Sequence, residues 1–335
     1  MLIVTTVNNC TGFYYKNCIC TGFIVQGILI QNKGGVSMKR NDLLLAVFVM
    51  AIWGFNFSMI KMGVTNVHPL LATAARFSLA VIPVIFFVAR PNVAWRYLVS
   101  YGFVFGVGIW GMASWSITAG LSSGLSSVLL STNVLIGMAV GVWVFKENAS
   151  VRKLMGAMLA MCALAVLVSA ATGNVTLKGV ILIMIAACSW TLMGVIVKAS
   201  KTTQAFAFNV WGMLFAPVPL VLFAVMLHGD QIIWQGIEQW DWNTTIAVLF
   251  QAYPTTLFGY WVWNKLLIQY PLSTTAPLTL LVPIFALISG YFMYDEVLSV
   301  AQVVASVLFL VGIGLIVKPA SSSKTKATQT LAEQK

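Results

Sequence analysis

Charge is what this chain has least of. Asp and Glu together number 8 in 335 residues, and Asp, Glu, Lys and Arg make up only 8% of the sequence, against roughly 25% in an ordinary soluble domain. A surface so poor in charge excludes a cytosolic globule. His68 and His228 are the only histidines, both at the ends of apolar runs. The sequence holds no His-Glu-x-x-His, no Gly-x-Ser-x-Gly and no pair of acids inside one apolar run, so the convergent acid, base or metal groups of an enzyme are missing. The 5 cysteines make no framework: Cys162 and Cys188 sit in apolar runs as small hydrophobes, and Cys18-Ile19-Cys20 has no second ligand pair nearby. No enzyme activity, metal or cofactor is expected. The short loops also argue against a sensor or assembly factor, which would add a soluble domain for its partners.

What the chain has is apolar sequence: 60% hydrophobic residues and a mean hydropathy of +0.92. At about 20 residues per crossing, ten stretches qualify, at 43–63, 70–89, 97–119, 121–145, 153–171, 178–199, 205–228, 244–268, 271–294 and 298–317. The expected fold is therefore an all-α integral membrane protein with ten transmembrane helices. The net charge of +11 would point to nucleic acid in a soluble protein. Here it reads as basic loops held on one side of a bilayer, and no nucleic-acid partner is expected. With both termini inside, Lys39, Arg40, Arg90, Arg96, Lys146, Arg152, Lys153, Lys198, Lys201, Lys265, Lys318, Lys324, Lys326 and Lys335 fall on the cytoplasmic side, while the outer side receives Lys178, with Lys61 a further candidate, and the acids Asp230, Glu238, Asp241, Asp295 and Glu296. The long outer connection from His228 to Asn243 carries Trp234, Trp240 and Trp242, an anchor at the headgroup boundary.

Residues 1–37 mix Asn, Gly, Thr, Cys and Lys with one apolar run too short to span, and Met38-Lys39-Arg40 then opens the first clean span. The expected functional start is Met38, with 1–37 a non-native or disordered extension; 319–335, rich in Ser, Thr and Lys, reads as a disordered cytoplasmic tail.

Sliding the sequence on itself by 137 residues lays Trp53 on Trp190 and Lys61 on Lys198, and a slide of 149 lays Glu147 on Glu296. Residues 38–173 and 174–318 thus read as two copies of a five-helix unit. An odd number of spans forces the copies into opposite orientations, the inverted-repeat plan of secondary transporters, in which a central site opens to either side in turn. Glu147 and Glu296 sit at corresponding helix junctions, where an acid stabilises the amides of the next helix.

Polar groups inside apolar helices are costly and hence candidates for function. No acid lies in the middle of a span, which disfavours a cationic drug as substrate. Arg76 lies seven residues into the second span; it either meets a substrate carboxylate or snorkels to the outer interface. Lys61 and Lys198 lie near helix ends, where snorkelling is easy. Asn56 and Asn133 carry amides that must find partners in lipid, and Trp53, Trp115, Trp190 and Tyr260 offer ring faces to an ammonium group. Pro277 and Pro283 mark a bent wall, while the corresponding positions Val128 and Val134 allow the two halves to bend differently. The candidate substrate-binding residues are Trp53, Asn56, Arg76, Trp115, Asn133, Trp190, Tyr260 and Pro277.

Ala51-Ile52-Trp53-Gly54-Phe55-Asn56-Phe57, Arg76-Phe77 and Leu281-Val282-Pro283-Ile284-Phe285-Ala286 with Asp295-Glu296 resemble recurring segments of the EamA-type branch of the drug/metabolite transporter superfamily. Phe86-Phe87-Val88-Ala89-Arg90-Pro91 and the Trp-Gly-x-Asn-Phe run are most similar to bacterial exporters of cysteine and O-acetylserine. Val134 departs from the pattern, since many relatives have Pro there. The resemblance implies a bacterial inner-membrane exporter of amino acids or their derivatives, working by alternating access as a monomer or homodimer, with protons or a counter-substrate as candidate coupling species. A broader drug or toxic-compound efflux pump is the alternative.

Overall fold

A computed structural model describes residues 38–143, 150–169, 176–270 and 276–317; the expected extension at 1–37, the tail at 319–335, the boundary near 173 and Glu147 lie outside the described residues. All regular structure among the described residues is helical. Helices α1 (Arg40–Gly63) and α2 (Pro69–Ile85) lead to α3, which runs over Trp95–Phe103, loosens into a π-helical segment over Val104–Gly111 and resumes over Met112–Thr118. Helices α4 (Ser123–Leu130) and α5 (Asn133–Trp143) continue one another across a break at residues 131–132, and α6 (Val151–Ser169) follows. Next come α7 (Leu177–Ser200), α8 (Ala205–Met213), α9 (Pro217–His228) and the short α10 (Gln231–Glu238). Helix α11 runs over Trp242–Phe250, a π-helical segment over Gln251–Phe258, and Gly259–Gln269. A 3-10 turn, Ala276–Leu280, enters α12 (Leu281–Tyr294), and α13 (Val300–Val317) ends the described chain.

Among the described residues, five helical runs are long and apolar enough to cross a membrane: Arg40–Gly63, Trp95–Thr118, Ser123–Val140, Leu177–Val197 and Ala205–His228. Pro69–Ile85, Leu278–Tyr294 and Val300–Ile316 are shorter apolar helices. The second span expected from the sequence to reach residue 89 ends at Ile85, where the Phe87 N–H closes a tight last turn on the Val84 carbonyl. Phe86 and Phe87 beyond it are 80% and 87% exposed.

The distribution of polarity is the reverse of a soluble protein's. Phe86, Phe87, Met226, Phe292 and Val300 stand on the outside, while Asn56, Arg76, Ser123, Ser126, Ser127 and Thr256 are buried. Only a hydrocarbon solvent makes that arrangement favourable. Without a hydrophobic drive between helices, close contact comes from small residues. A Cβ on Gly54 of α1 would lie 2.4 Å from the Phe285 Cβ of α12. Between α6 and α13 the contact is reciprocal: a Cβ on Gly156 would meet the Gly312 carbonyl at 2.6 Å, and one on Gly312 the Gly156 carbonyl at 2.7 Å.

Two kinds of irregularity recur. The π-helical segments of α3 and α11 are each 8 residues long and begin at Val104 and Gln251, 147 residues apart. In α11 Pro254 brings no N–H to the helix ladder, and two side chains bond carbonyls of the same π-helical segment: the Trp53 indole donates to the Thr255 carbonyl at 3.0 Å, and the Thr256 hydroxyl to the Gln251 carbonyl at 2.7 Å. The second irregularity is the break between α4 and α5, matched by the 3-10 to α transition between Leu280 and Leu281. The first half breaks without prolines. There the Ser131 hydroxyl donates to the Ser127 carbonyl at 3.2 Å and the Asn133 amide to the Leu130 carbonyl at 2.8 Å, holding carbonyls that the continuous helix would have used.

Candidate functional site

The two breaks and the π-helical segment of α11 surround one cavity. Its walls are Trp53, Asn56 and Phe57 of α1, Trp110 of α3, Ser127, Ser131 and Asn133 at the α4–α5 break, Trp190 of α7, Thr255 and Tyr260 of α11, and Thr279 and Pro283 around the start of α12. About 100 Å³ of it can be reached by the centre of a water-sized sphere, room for a small solute. Broken helices are tolerated at membrane depth where they line such a space.

Trp53, Phe57, Trp110, Trp190 and Tyr260 put aromatic rings in the wall, and further rings pack behind them. Trp53 lies 5.6 Å from Tyr260 and 5.7 Å from Trp263, Phe105 bridges Tyr260 and Trp110 at 6.0 and 6.4 Å, and Trp110 lies 5.9 Å from Trp190. Trp53 is positioned by its bond to Thr255 and by Gly259, whose missing side chain leaves room for the indole: a Cβ there would sit 2.4 Å from Trp53 Nε1. Among these rings Asn56 is 0% exposed, and neither its amide nitrogen nor its amide oxygen has a hydrogen-bond partner in the protein. Leaving such a group unpaired costs about 1–3 kcal/mol, so the Asn56 amide lowers the stability of the folded protein.

Arg76 stands just behind this wall. Its guanidinium lies 4.4 Å from the Trp110 ring centroid, and Nε and one terminal nitrogen donate to the Thr256 hydroxyl at 3.2 and 3.0 Å. The side chain is 0% exposed and the other terminal nitrogen has no partner. It therefore does not snorkel to the outer interface, and no acid among the described residues forms an ion pair with it.

Of the sequence candidates, Trp53, Asn56, Asn133, Trp190 and Tyr260 meet at the cavity, and Arg76 backs it. Asn133 spends its amide nitrogen on the Leu130 carbonyl. Trp115 stands apart, near the end of α3, with His68 at 6.1 Å, Phe223 at 6.3 Å and Lys178 Nζ at 5.2 Å from its ring. The Pro277 side chain lies outside the described residues, and Pro283 is the proline that lines the cavity. Sequence reasoning did not single out Trp110, which both closes the wall and stacks on Arg76.

The acid at the α12–α13 junction departs from its expected role. Glu296 was expected to cap the helix that follows it; α13 is instead capped reciprocally by Ser299 and Gln302, the Ser299 N–H donating to Gln302 Oε1 at 3.0 Å and the Gln302 N–H to Ser299 Oγ at 3.3 Å. Glu296 turns back across the bundle to the start of α4. Its carboxylate accepts from the Ser123 N–H at 2.9 Å, the Ser123 hydroxyl at 2.9 Å and the Gly124 N–H at 3.2 Å, and pairs with Lys61 Nζ at 2.8 Å. Burial raises its pKa and these bonds lower it; the bonds prevail, holding the carboxyl below its ordinary range. Lys61, read from the sequence as free to snorkel, is thus committed.

Comparison with known proteins accords with this architecture. The sequence model of the EamA-like transporter family matches residues 41–169 and 177–318. A Salmonella typhimurium protein named a probable amino-acid metabolite efflux pump is 33% identical over 282 residues, covering 82% of this chain and 94% of its own length. An Escherichia coli protein of the same name is 30% identical over the same extents, 82% and 94%. One solved crystal structure superposes with a TM-score of 0.55 at 14% identity, covering 88% of this chain and 99% of the other; at that identity it bears on the fold alone. The chain belongs to the EamA-like transporter family, and it is a membrane transporter, not an enzyme.

Proposed function

We propose that this transporter exports small zwitterionic metabolites, amino acids or derivatives of the size of cysteine or O-acetylserine, through the central cavity by alternating access. It does so across a bacterial inner membrane, with both termini cytoplasmic. The observation that carries the reading is the unpartnered, fully buried amide of Asn56 in an aromatic-walled cavity backed by an arginine without an acid. A substrate ammonium group is received by the Trp and Tyr faces, the Asn56 amide orients the polar groups, and Arg76 supplies the positive field that favours a carboxylate. Among the described residues no Asp or Glu lines the cavity, which favours a zwitterion over a bulky cation. The names of the Salmonella and Escherichia relatives support the same substrate class.

Two inverted five-helix halves, 38–173 and 174–318, are the second part of the proposal. Three correspondences support it. The π-helical segments begin 147 residues apart, between the two slides of 137 and 149 read from the sequence. The helix breaks correspond at the longer slide. At the crossing of α1 with α12, Gly54 approaches the Val282 carbonyl, where a Cβ would lie at 2.7 Å; at the equivalent crossing of α7 with α5, the Thr191 hydroxyl donates to the Asn133 carbonyl at 3.3 Å.

The test is export of amino-acid metabolites from cells carrying Asn56→Ala or Arg76→Ala, with membrane abundance measured alongside, and flux into proteoliposomes under imposed proton or counter-metabolite gradients. Both variants are expected to lose most export at normal abundance. Unchanged export from both removes the site, and gradient dependence identifies the coupling species.

A further inference from the structure

At the end of α1 farthest from Arg40, three helices meet over the cavity: α1 and α4 from the first proposed half and α12 from the second. The contact is built stepwise along α1 and α12. Gly54 admits Phe285, the Ser58 and Ser289 hydroxyls bond at 2.8 Å, the Tyr294 hydroxyl donates to the Ser58 carbonyl at 2.8 Å, and Lys61 pairs with Glu296 at 2.8 Å beside the Tyr294 ring.

Glu296 reaches this position through a backbone device. Asp295 adopts the left-handed conformation, φ 50°, and the chain folds back so that the Glu296 N–H bonds the Gly290 carbonyl. Gly290 then clears space for the carboxylate: a Cβ there would lie 2.4 Å from Glu296 Oε2. The carboxylate is anchored on the first two amides of α4, where the helix dipole also favours negative charge. Ser127, one helical turn deeper on α4, already lines the cavity.

We infer that Lys61, Glu296 and the amino end of α4 form the latch of the outer gate, closed in this structure, which must open and re-form in each transport cycle. The chemistry suits a reversible contact. An ion pair and its hydrogen bonds give up little when they are exchanged for water, because desolvation offsets much of their attraction, whereas their directional geometry defines one closed state. A single carboxylate from α12 ties together two helices of the other half, so separating α12 from α1 and α4 releases every bond at once. The same end of the bundle carries the only salt bridge among the described residues.

The inference rests on the alternating-access reading, and the experiment separates the two. In a background with all cysteines replaced, a single cysteine at Ser127 is probed from outside spheroplasts with a membrane-impermeant maleimide. Glu296→Gln and Lys61→Met are expected to raise its labelling rate at least threefold, and Lys61→Arg to leave it near the parent value. Exchanging the charges, Lys61→Glu with Glu296→Lys, is expected not to restore the slow rate, since a lysine cannot accept from the α4 amides. A second arm uses Ser58→Cys with Ser289→Cys. Oxidation to the disulfide is expected to cut export at least tenfold, and reduction to restore it. Parent-rate labelling in both Glu296→Gln and Lys61→Met, rescue by the charge exchange, or undiminished export from the disulfide-locked protein each overturns the latch. Faster labelling without amino-acid flux in the parent retains the latch and removes the substrate assignment.

Discussion

Replacing Asn56 by Leu separates stability from function. In the folded protein the amide is 0% exposed, with neither end bonded to protein, so it bears a desolvation cost of about 1–3 kcal/mol. A side chain of similar outline without polar atoms removes that cost and adds apolar contact with the surrounding rings. At about 2.1 cal/mol/K of unfolding entropy per residue, each kcal/mol corresponds to roughly 1.5 °C in the melting midpoint for a chain of this length, so Asn56→Leu is expected to melt roughly 1.5–4 °C higher in detergent. Export should fall at least tenfold, because the group proposed to orient the substrate is gone. Asn56→Ala should lose export equally but gain less stability, since it opens a void. The assay pairs a thermal aggregation curve of purified protein with export from cells at matched abundance. A variant that melts lower while still exporting would refute the reasoning: the amide would then be a satisfied structural group.

Three further outcomes are expected. Gly259→Ala places a Cβ where the Trp53 indole now sits, so it should displace the ring from the Thr255 carbonyl, lower stability by about 1–3 kcal/mol and reduce export, measured by melting and flux. Ser299→Ala removes half of the reciprocal cap on α13 and should cost about 0.5–2 kcal/mol with export per molecule unchanged. His68 caps α2 by accepting from the Leu70 N–H; burial first and the facing His228 second lower its pKa from 6.5 to about 4. The folded protein thus binds fewer protons there than the unfolded chain, so stability is full above pH 6.5 and declines as the pH falls toward 4. In His68→Asn, which can still cap, the melting midpoint should vary less across that window.

How much was legible in the sequence follows from which forces are local. Apolar runs mark helices because each must satisfy its own backbone in lipid, and the described helical elements fall on those runs except α10, which lies in the outer connection. Trp53, Asn56, Trp190 and Tyr260 stood out as residues with a polar group or a ring face inside apolar runs. Choosing between Trp110 and Trp115 required knowing which face of α3 turns inward. Five residues apart, they lie about 140° apart on a regular helix, and a π-helical segment between Val104 and Gly111 changes that phase without a periodic signal in the sequence. The partner of Glu296 was hidden for another reason: its cap lies 173 residues away at Ser123, whereas the sequence could offer only the neighbouring helix.

The bare crossing at Gly54 has a mechanical consequence. Where the α1 backbone meets Phe285 without a side chain of its own, the crossing offers the proposed latch a fulcrum on α1. Lys61 lies seven residues further along, a lever arm of about 10 Å. A tilt of about 20°, comparable to ordinary helix crossing angles, therefore swings the ammonium group by about 4 Å. That travel exceeds the 2.8 Å Lys61–Glu296 contact, so under the proposed latch a modest rocking of α1 is enough to part it.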